Sequence, residues 1–206
     1  MCPRTKEQNE AIRQQRLHQI RHTAAEVLLE KGLRMEMGDI AEKAGLGRGT
    51  VYHYYNNKVE LLEHLLAEAL QEGRKLVLRT LAAEQPPVNR LSAFAEASLL
   101  SWVSEPIHFI LYLYAFHYAE PLPVGNPQQL QRDFRELLLQ PVLYTIQEGV
   151  SRGELSPAPP QTLYQTYLGT LVGTANAYIR SSLESGQNPE LWVRDVVHVL
   201  MKGIRA

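Results

Sequence analysis

Three residues constrain this chain more than anything else in it: Ala41, then Gly45 four residues on, then Val51 six residues after that. A small side chain at 41 lets two helices cross closely. Glycine at 45 permits a sharp turn with positive φ, which is cheap only for glycine. Val51, with Ile40 and Leu46, can plug the space between the two helices. Two short helices joined by such a turn form a helix-turn-helix, whose second helix lies in the major groove of DNA with its N-terminal residues toward the base edges. An Ala-x-x-x-Gly spacing alone also marks ordinary helix corners. The stretch EMGDIAEKAGLGRGTVYHYY, residues 36–55, adds a basic residue, a glycine, a threonine and a tyrosine cluster just past the turn, and Lys58 opens the next amphipathic segment.

The second helix of the pair reads GRGTVYHYY. Arg48, Thr50, His53 and Tyr54 fall on its exposed face, and Tyr52 is amphipathic. Arg48 can donate to a phosphate or to guanine O6 and N7. Thr50 and the tyrosines can donate to phosphates or touch thymine methyls, although tyrosines at helical spacing more often serve packing. Gly49 allows the backbone close to DNA. At Lys58 a side-chain charge and the free N–H groups of a helix start can both meet a phosphate, with Asn56 or Asn57 as the cap.

The rest of the chain also reads as helix. No run of alternating β-branched residues appears, and no hairpin dipeptide joins two such runs. Leu17, Ile20, Ala24, Val27 and Leu28 recur at helical spacing until Gly32 stops them. Short helices are expected near 37–44 and 48–54, and a longer one from Lys58. After the break at AAEQPPVN (82–89), five more are expected, near 89–104, 106–119, 127–152, 160–185 and 189–204. Pro141 predicts a kink or break inside the 127–152 helix.

The runs AAEVLLEKG and DIAEKAGLGRGTVYHYYNNKVELL resemble the DNA-binding domain of the tetracycline-repressor (TetR) family, over about residues 13–73. The resemblance implies an all-α chain of about nine helices. An N-terminal three-helix helix-turn-helix domain (13–73, motif 36–55) would be followed at 81–206 by a helical effector-binding and dimerisation domain. It assigns Arg48, Gly49, Thr50, Tyr52, His53 and Tyr54 to the recognition helix and Lys58 to phosphate anchoring. It implies a transcriptional regulator, most simply a repressor, that binds a palindromic operator in double-stranded DNA as a homodimer and is released by a small organic effector. Two residues depart from the family pattern. Gly47 stands where a capping serine is usual, which weakens the cap, and Glu36 stands where Ser or Thr is common.

Beyond residue 80 the residues support two further expectations. Gly169, Gly173 and Ala177 form a row of small side chains at four-residue spacing, which suits close approach of a partner helix. With Val193, Val197 and Leu200 of the last helix they make a candidate dimer interface; packing of the two helices within one chain is the alternative. Aromatic residues concentrate in the same half. Trp102, His108, Phe109, Tyr112, Phe116, Tyr164 and Tyr167 are candidates to line a pocket for a mainly apolar molecule, and an aromatic core would read the same way.

Charge and composition exclude other classes. Residues 1–58 carry ten Lys and Arg against seven Asp and Glu, whereas 81–206 carry eight against eleven. So small an excess means that any basic face comes from arrangement. An N-terminal basic arm (Pro3, Arg4 and Lys6, then Arg13 and Arg16) could reach DNA. Glu7 and Glu10 dilute it, and a solvated tail with a charged helix face is the simpler reading. The single cysteine, Cys2, can form no internal disulfide, and cytoplasmic residence is expected. The most apolar run, IHFILYLYAF (107–116), is about half of what a membrane span needs, so no membrane association is expected. His18 and His22 have the spacing of two metal ligands, but no third ligand stands out, so no metal and no cofactor are expected. There is no phosphate-binding glycine loop and no nucleophile elbow, and the chain is not expected to be an enzyme. A helical ligand-binding or scaffold protein without operator binding is the alternative function.

Overall fold

The computed structural model describes residues 5–117, 124–185 and 188–206, and among these every regular element is a helix. α1 spans Lys6–Lys31, α2 Met37–Lys43, α3 Arg48–Tyr54 and α4 Lys58–Thr80. α5 spans Pro87–Ser104, α6 Pro106–His117, α7 Pro127–Phe134, α8 Gln140–Ser151, α9 Pro160–Ser185 and α10 Pro189–Ile204. The all-α expectation holds. Cys2, Pro3 and Arg4 lie outside the described residues.

Local chemistry sets the helix ends. Thr5 accepts from the Gln8 amide at 3.2 Å while the Gln8 side chain accepts from the Thr5 amide at 3.0 Å, a reciprocal cap that starts α1. Gly32 ends α1 at φ 62°. The Asn57 side chain accepts from the Glu60 amide at 2.9 Å and starts α4. Pro127 and Pro189 stand in the first turns of α7 and α10, where a missing N–H costs nothing.

The interruption expected near Pro141 lies just upstream of it. The backbone does not break at it. Instead a π-helical segment, Arg135–Leu139, joins α7 to α8, with the Gln140 amide bonding to the Arg135 carbonyl. A proline lacks an N–H, and its ring crowds the carbonyl one turn back. Widening the helix just upstream absorbs both effects. Counting α7 to α8 as one run leaves nine helices among the described residues.

α4 joins the two ends of the molecule. Leu61, Leu62, Leu65, Leu66 and Ala69 are buried on its first half, Leu76 and Val77 on its second. It packs on α1, α5 and α6, and on the π segment. There Gly73 is needed for close approach: a Cβ on it would lie 2.8 Å from a methyl of Leu138. α6 lies among α1, α4, α5 and α9, so its apolar sequence is covered on several sides. Among the described residues, no helix is long and apolar enough to cross a membrane.

Candidate nucleic-acid interface

α2 and α3 form the crossing that the sequence predicts. Ile40, Ala41 and Val51 are fully buried between them, and Leu46 is half-buried. Gly45 has φ +64°. The chain turns there with the Gly45 amide on the Glu42 carbonyl at 3.1 Å and the Leu46 amide on the Ala41 carbonyl at 2.9 Å. α1 braces the turn from behind, where Gln19 donates to the Ala44 carbonyl at 2.9 Å.

α3 turns almost all of its surface outward. Val51 is its one buried residue. Arg48, Gly49, Thr50 and His53 are exposed, Tyr52 is 50% exposed and Tyr54 is half-buried against His53. Gly47 caps the helix with no side-chain bond, and no atom lies within 4 Å of where a Cβ on Gly49 would be. The structure thus brings Arg48, Gly49, Thr50, Tyr52, His53 and Tyr54 onto one short projecting helix.

Arg48 has a neighbour that sequence reasoning missed. Its guanidinium lies over Gly38 of α2. Asp39 is next to it. The Asp39 carboxyl accepts from Lys31 at 2.7 Å and from the Glu36 amide at 2.8 Å. The bond from Lys31, then that from the amide, holds the Asp39 carboxyl below the ordinary carboxylate range, and the charges of Lys31 and Arg48 add to the effect. A glycine in the first turn of a helix, where alanine is the better helix former, was the available signal.

Lys58 is half-buried. Its ammonium donates to the carbonyls of Leu33 and Met35, each at 3.1 Å, and Glu36 lies 3.9 Å away. Two of its three donors therefore tie the start of α4 to the loop after α1, which leaves one for a phosphate.

The candidate pocket residues separate into two groups. Trp102 meets Tyr112 at 4.4 Å and Phe109 at 5.4 Å with tilted rings, and Tyr112 meets Phe134 edge-on at 5.2 Å. Tyr167 is buried with them and donates to the Leu91 carbonyl at 2.6 Å. Burial first, then the neighbouring phenol, raises Tyr112 (beside Tyr164) and Tyr167 (beside Tyr112), so these hydroxyls stay protonated. Tyr164 is half-buried, and burial raises it too. His108 faces elsewhere. It bonds to Ser101 at 2.8 Å and shares a cleft with His18, Arg21, His22 and Glu105. There His22 meets Glu105 at 3.1 Å and ties α1 to the corner between α5 and α6. The side chain of Phe116 lies outside the described residues.

The candidate interface residues also divide. Gly169, Gly173 and Ala177 are exposed in a row on α9, and no atom lies within 4 Å of a Cβ built on either glycine. For Val193, Val197 and Leu200 the expectation is corrected. All three are buried within the chain, on the face of α10 that packs on α5 and α9. The outer face of α10 carries Leu191, 51% exposed, and Val199, 70% exposed.

Known proteins share both the motif and the architecture. Residues 20–65 match the sequence model of "Bacterial regulatory proteins, tetR family". The HTH-type transcriptional regulator TtgR of Pseudomonas putida is 36% identical over 85 residues, 41% of this chain and 38% of that protein. The chain therefore aligns with well under half the length of that relative. Among solved structures, AibR in complex with isovaleryl coenzyme A and operator DNA superposes with TM-score 0.69 at 18% identity, over 90% of this chain and 98% of its own. The ketosteroid transcriptional regulator KstR2 of Mycobacterium tuberculosis superposes with TM-score 0.66 at 18% identity, over 93% and 95%. The turn at Gly45, the outward helix led by Arg48 and the match over 20–65 agree: this segment is similar to bacterial regulatory proteins of the tetR family.

Proposed function

We propose that the chain is a DNA-binding transcriptional regulator, a homodimeric repressor whose hold on a roughly palindromic operator is released by a small, mainly apolar organic effector. One observation carries the reading. α3 buries only Val51 and presents Arg48, Gly49, Thr50, Tyr52 and His53 to solvent, which is the arrangement a groove-reading helix needs. In this reading Arg48 addresses guanine, Thr50 and the tyrosines meet phosphates, and Lys58 uses its remaining donor on the backbone. Residues 13–73 form the DNA-binding part and 81–206 the part that binds effector and partner.

The dimer rests on the open row Gly169, Gly173 and Ala177 of α9, and on the apolar surface that Leu191 and Val199 of α10 leave exposed. Two copies joined there would present recognition helices to successive major grooves, about 34–36 Å apart. The effector site rests on the aromatic group of Trp102, Phe109, Tyr112 and Tyr167, with Tyr164 beside it. AibR, of the same fold, was crystallised with isovaleryl coenzyme A and operator DNA, which accords with a small-molecule effector here. A ligand that prefers one arrangement of the body helices shifts the population toward it, and operator affinity falls by that preference.

Selection of duplexes from a random pool by the full-length protein tests the reading. Enrichment of an inverted repeat with half-sites about one helical turn apart supports it. A protein that enriches no sequence is a helical ligand-binding protein without an operator.

A further inference from the structure

At the C-terminal end of α3 a cleft of about 540 Å³ opens between that helix, α1 and α4. Arg13 and Arg21 of α1, His53 and Tyr54 of α3, and Glu60 and His64 of α4 line it. Two arginines and two imidazoles therefore face one carboxylate, in a chain whose net charge is −1.

Most of these groups are already engaged. Glu60 accepts from the Asn56 amide at 2.8 Å and from the Asn56 side chain at 3.0 Å. Arg21 pairs with Glu68 at 2.8 Å. Arg13 is the available cation. Its side chain is 58% exposed, and its partner Glu10, at 3.2 Å, is 56% exposed. An exposed pair of this kind is worth little, so Arg13 can leave it at small cost. Nor does Arg13 hang on a loose arm. α1 is capped at Thr5, and Arg13 stands two turns inside it.

We propose that this cleft is a second DNA-backbone clamp, in which Arg13, flanked by His53 and Tyr54, holds a phosphodiester that the recognition helix brings beside it. The clamp rests on the DNA-binding reading above. It lies toward the opposite end of α1 from the loop to which Lys58 is tied, so Arg13 of α1 and Lys58 of α4 would grip the duplex at two separate places. A phosphate contact fixes register without reading sequence. Arg13 therefore contributes affinity and salt dependence, while Arg48 contributes discrimination.

Anisotropy titrations of full-length protein at several salt concentrations test the clamp, using a duplex recovered by selection and a scrambled duplex. Arg13→Gln is expected to weaken binding to both about equally, roughly 3- to 10-fold. It should also lower the slope of log affinity against log salt by about 0.9, the loss of one phosphate contact. Arg13→Lys, which keeps the charge, should retain most of the slope. Arg16→Gln is the control. Arg16 is exposed on the same helix, bonds to Gln19 and does not line the cleft. A wild-type slope in Arg13→Gln overturns the clamp, and so does an equal slope loss in Arg16→Gln, which would mean a diffuse field. If wild-type protein binds no duplex at all, the DNA-binding reading fails and the clamp falls with it.

Discussion

The guanidinium of Arg48 rests on Gly38: a Cβ added to that glycine would lie 2.9 Å from Nη2 of the arginine. The residue expected to read bases thus has a resting place on the helix before its own, beside the carboxylate of Asp39. In the proposed reading it leaves that place to reach a base edge.

Arg48→Ala removes the proposed base contact and should cost about 1–3 kcal/mol on the selected duplex, with relaxed discrimination at one position of each half-site. Gly38→Ala should act the other way. The added methyl crowds only the flexible end of Arg48, so the thermal midpoint should hardly move. The resting place is lost, and duplex affinity should hold or rise. A clear fall in affinity would mean that Arg48 works from where it now lies.

Gly45 sits at φ +64° in the turn between α2 and α3. Alanine there places a Cβ in the left-handed region and should cost about 1–2 kcal/mol. A midpoint lowered by a few degrees is the expected result in a thermal melt. An unchanged midpoint would show that the turn relaxes without strain.

These glycines also show why the N-terminal half was so legible. Gly32 and Gly45 each stop a helix for a backbone reason that acts locally, and Asn57 caps one by a bond three residues long. Such signals sit in a few adjacent residues. The C-terminal half depends on which helix meets which. The periodicity of α10 identifies Val193, Val197 and Leu200 as a buried face, but a face covered by α5 and one covered by a second chain have the same pattern. α6 has neighbours on several sides, so nothing in its apolar run distinguishes His108, which faces the cleft beside α1, from Phe109, which faces Trp102.

Gly173 offers a test of the proposed pairing. Among the described residues, nothing beyond its own helix backbone lies within 4 Å of a Cβ there, so Gly173→Arg should leave the helical fold of the single chain intact. A partner helix lying on the row would be pushed away. Sedimentation should then show a monomer for the variant and a dimer for the wild type. A dimer that survives the substitution places the interface elsewhere.

Acid should weaken the fold in a defined window. Lys31 lowers the carboxyl of Asp39, and Arg90, then Arg152, lowers that of Glu148. Both carboxyls titrate below their unfolded values, which lie near pH 4. Their contribution is complete above that pH and is lost as pH falls through the folded values. Between about pH 5 and 3, Asp39→Asn and Glu148→Gln should each flatten the decline seen by denaturant titration. Parallel curves for variant and wild type would show that these pairs play no part in acid sensitivity.

A pivot at the contact between Gly73 and Leu138 would make α4 a lever. From that fulcrum to Lys58 is fifteen residues, an arm of about 22 Å at 1.5 Å per residue. A tilt of about 5° at the pivot swings the far tip by roughly 2 Å, farther than a hydrogen bond can stretch and survive. Leu138 belongs to the π segment, so the fulcrum is set in the one widened turn of a long rod. A slight repacking under that turn is geared up into a displacement that a fixed ladder of phosphates would register.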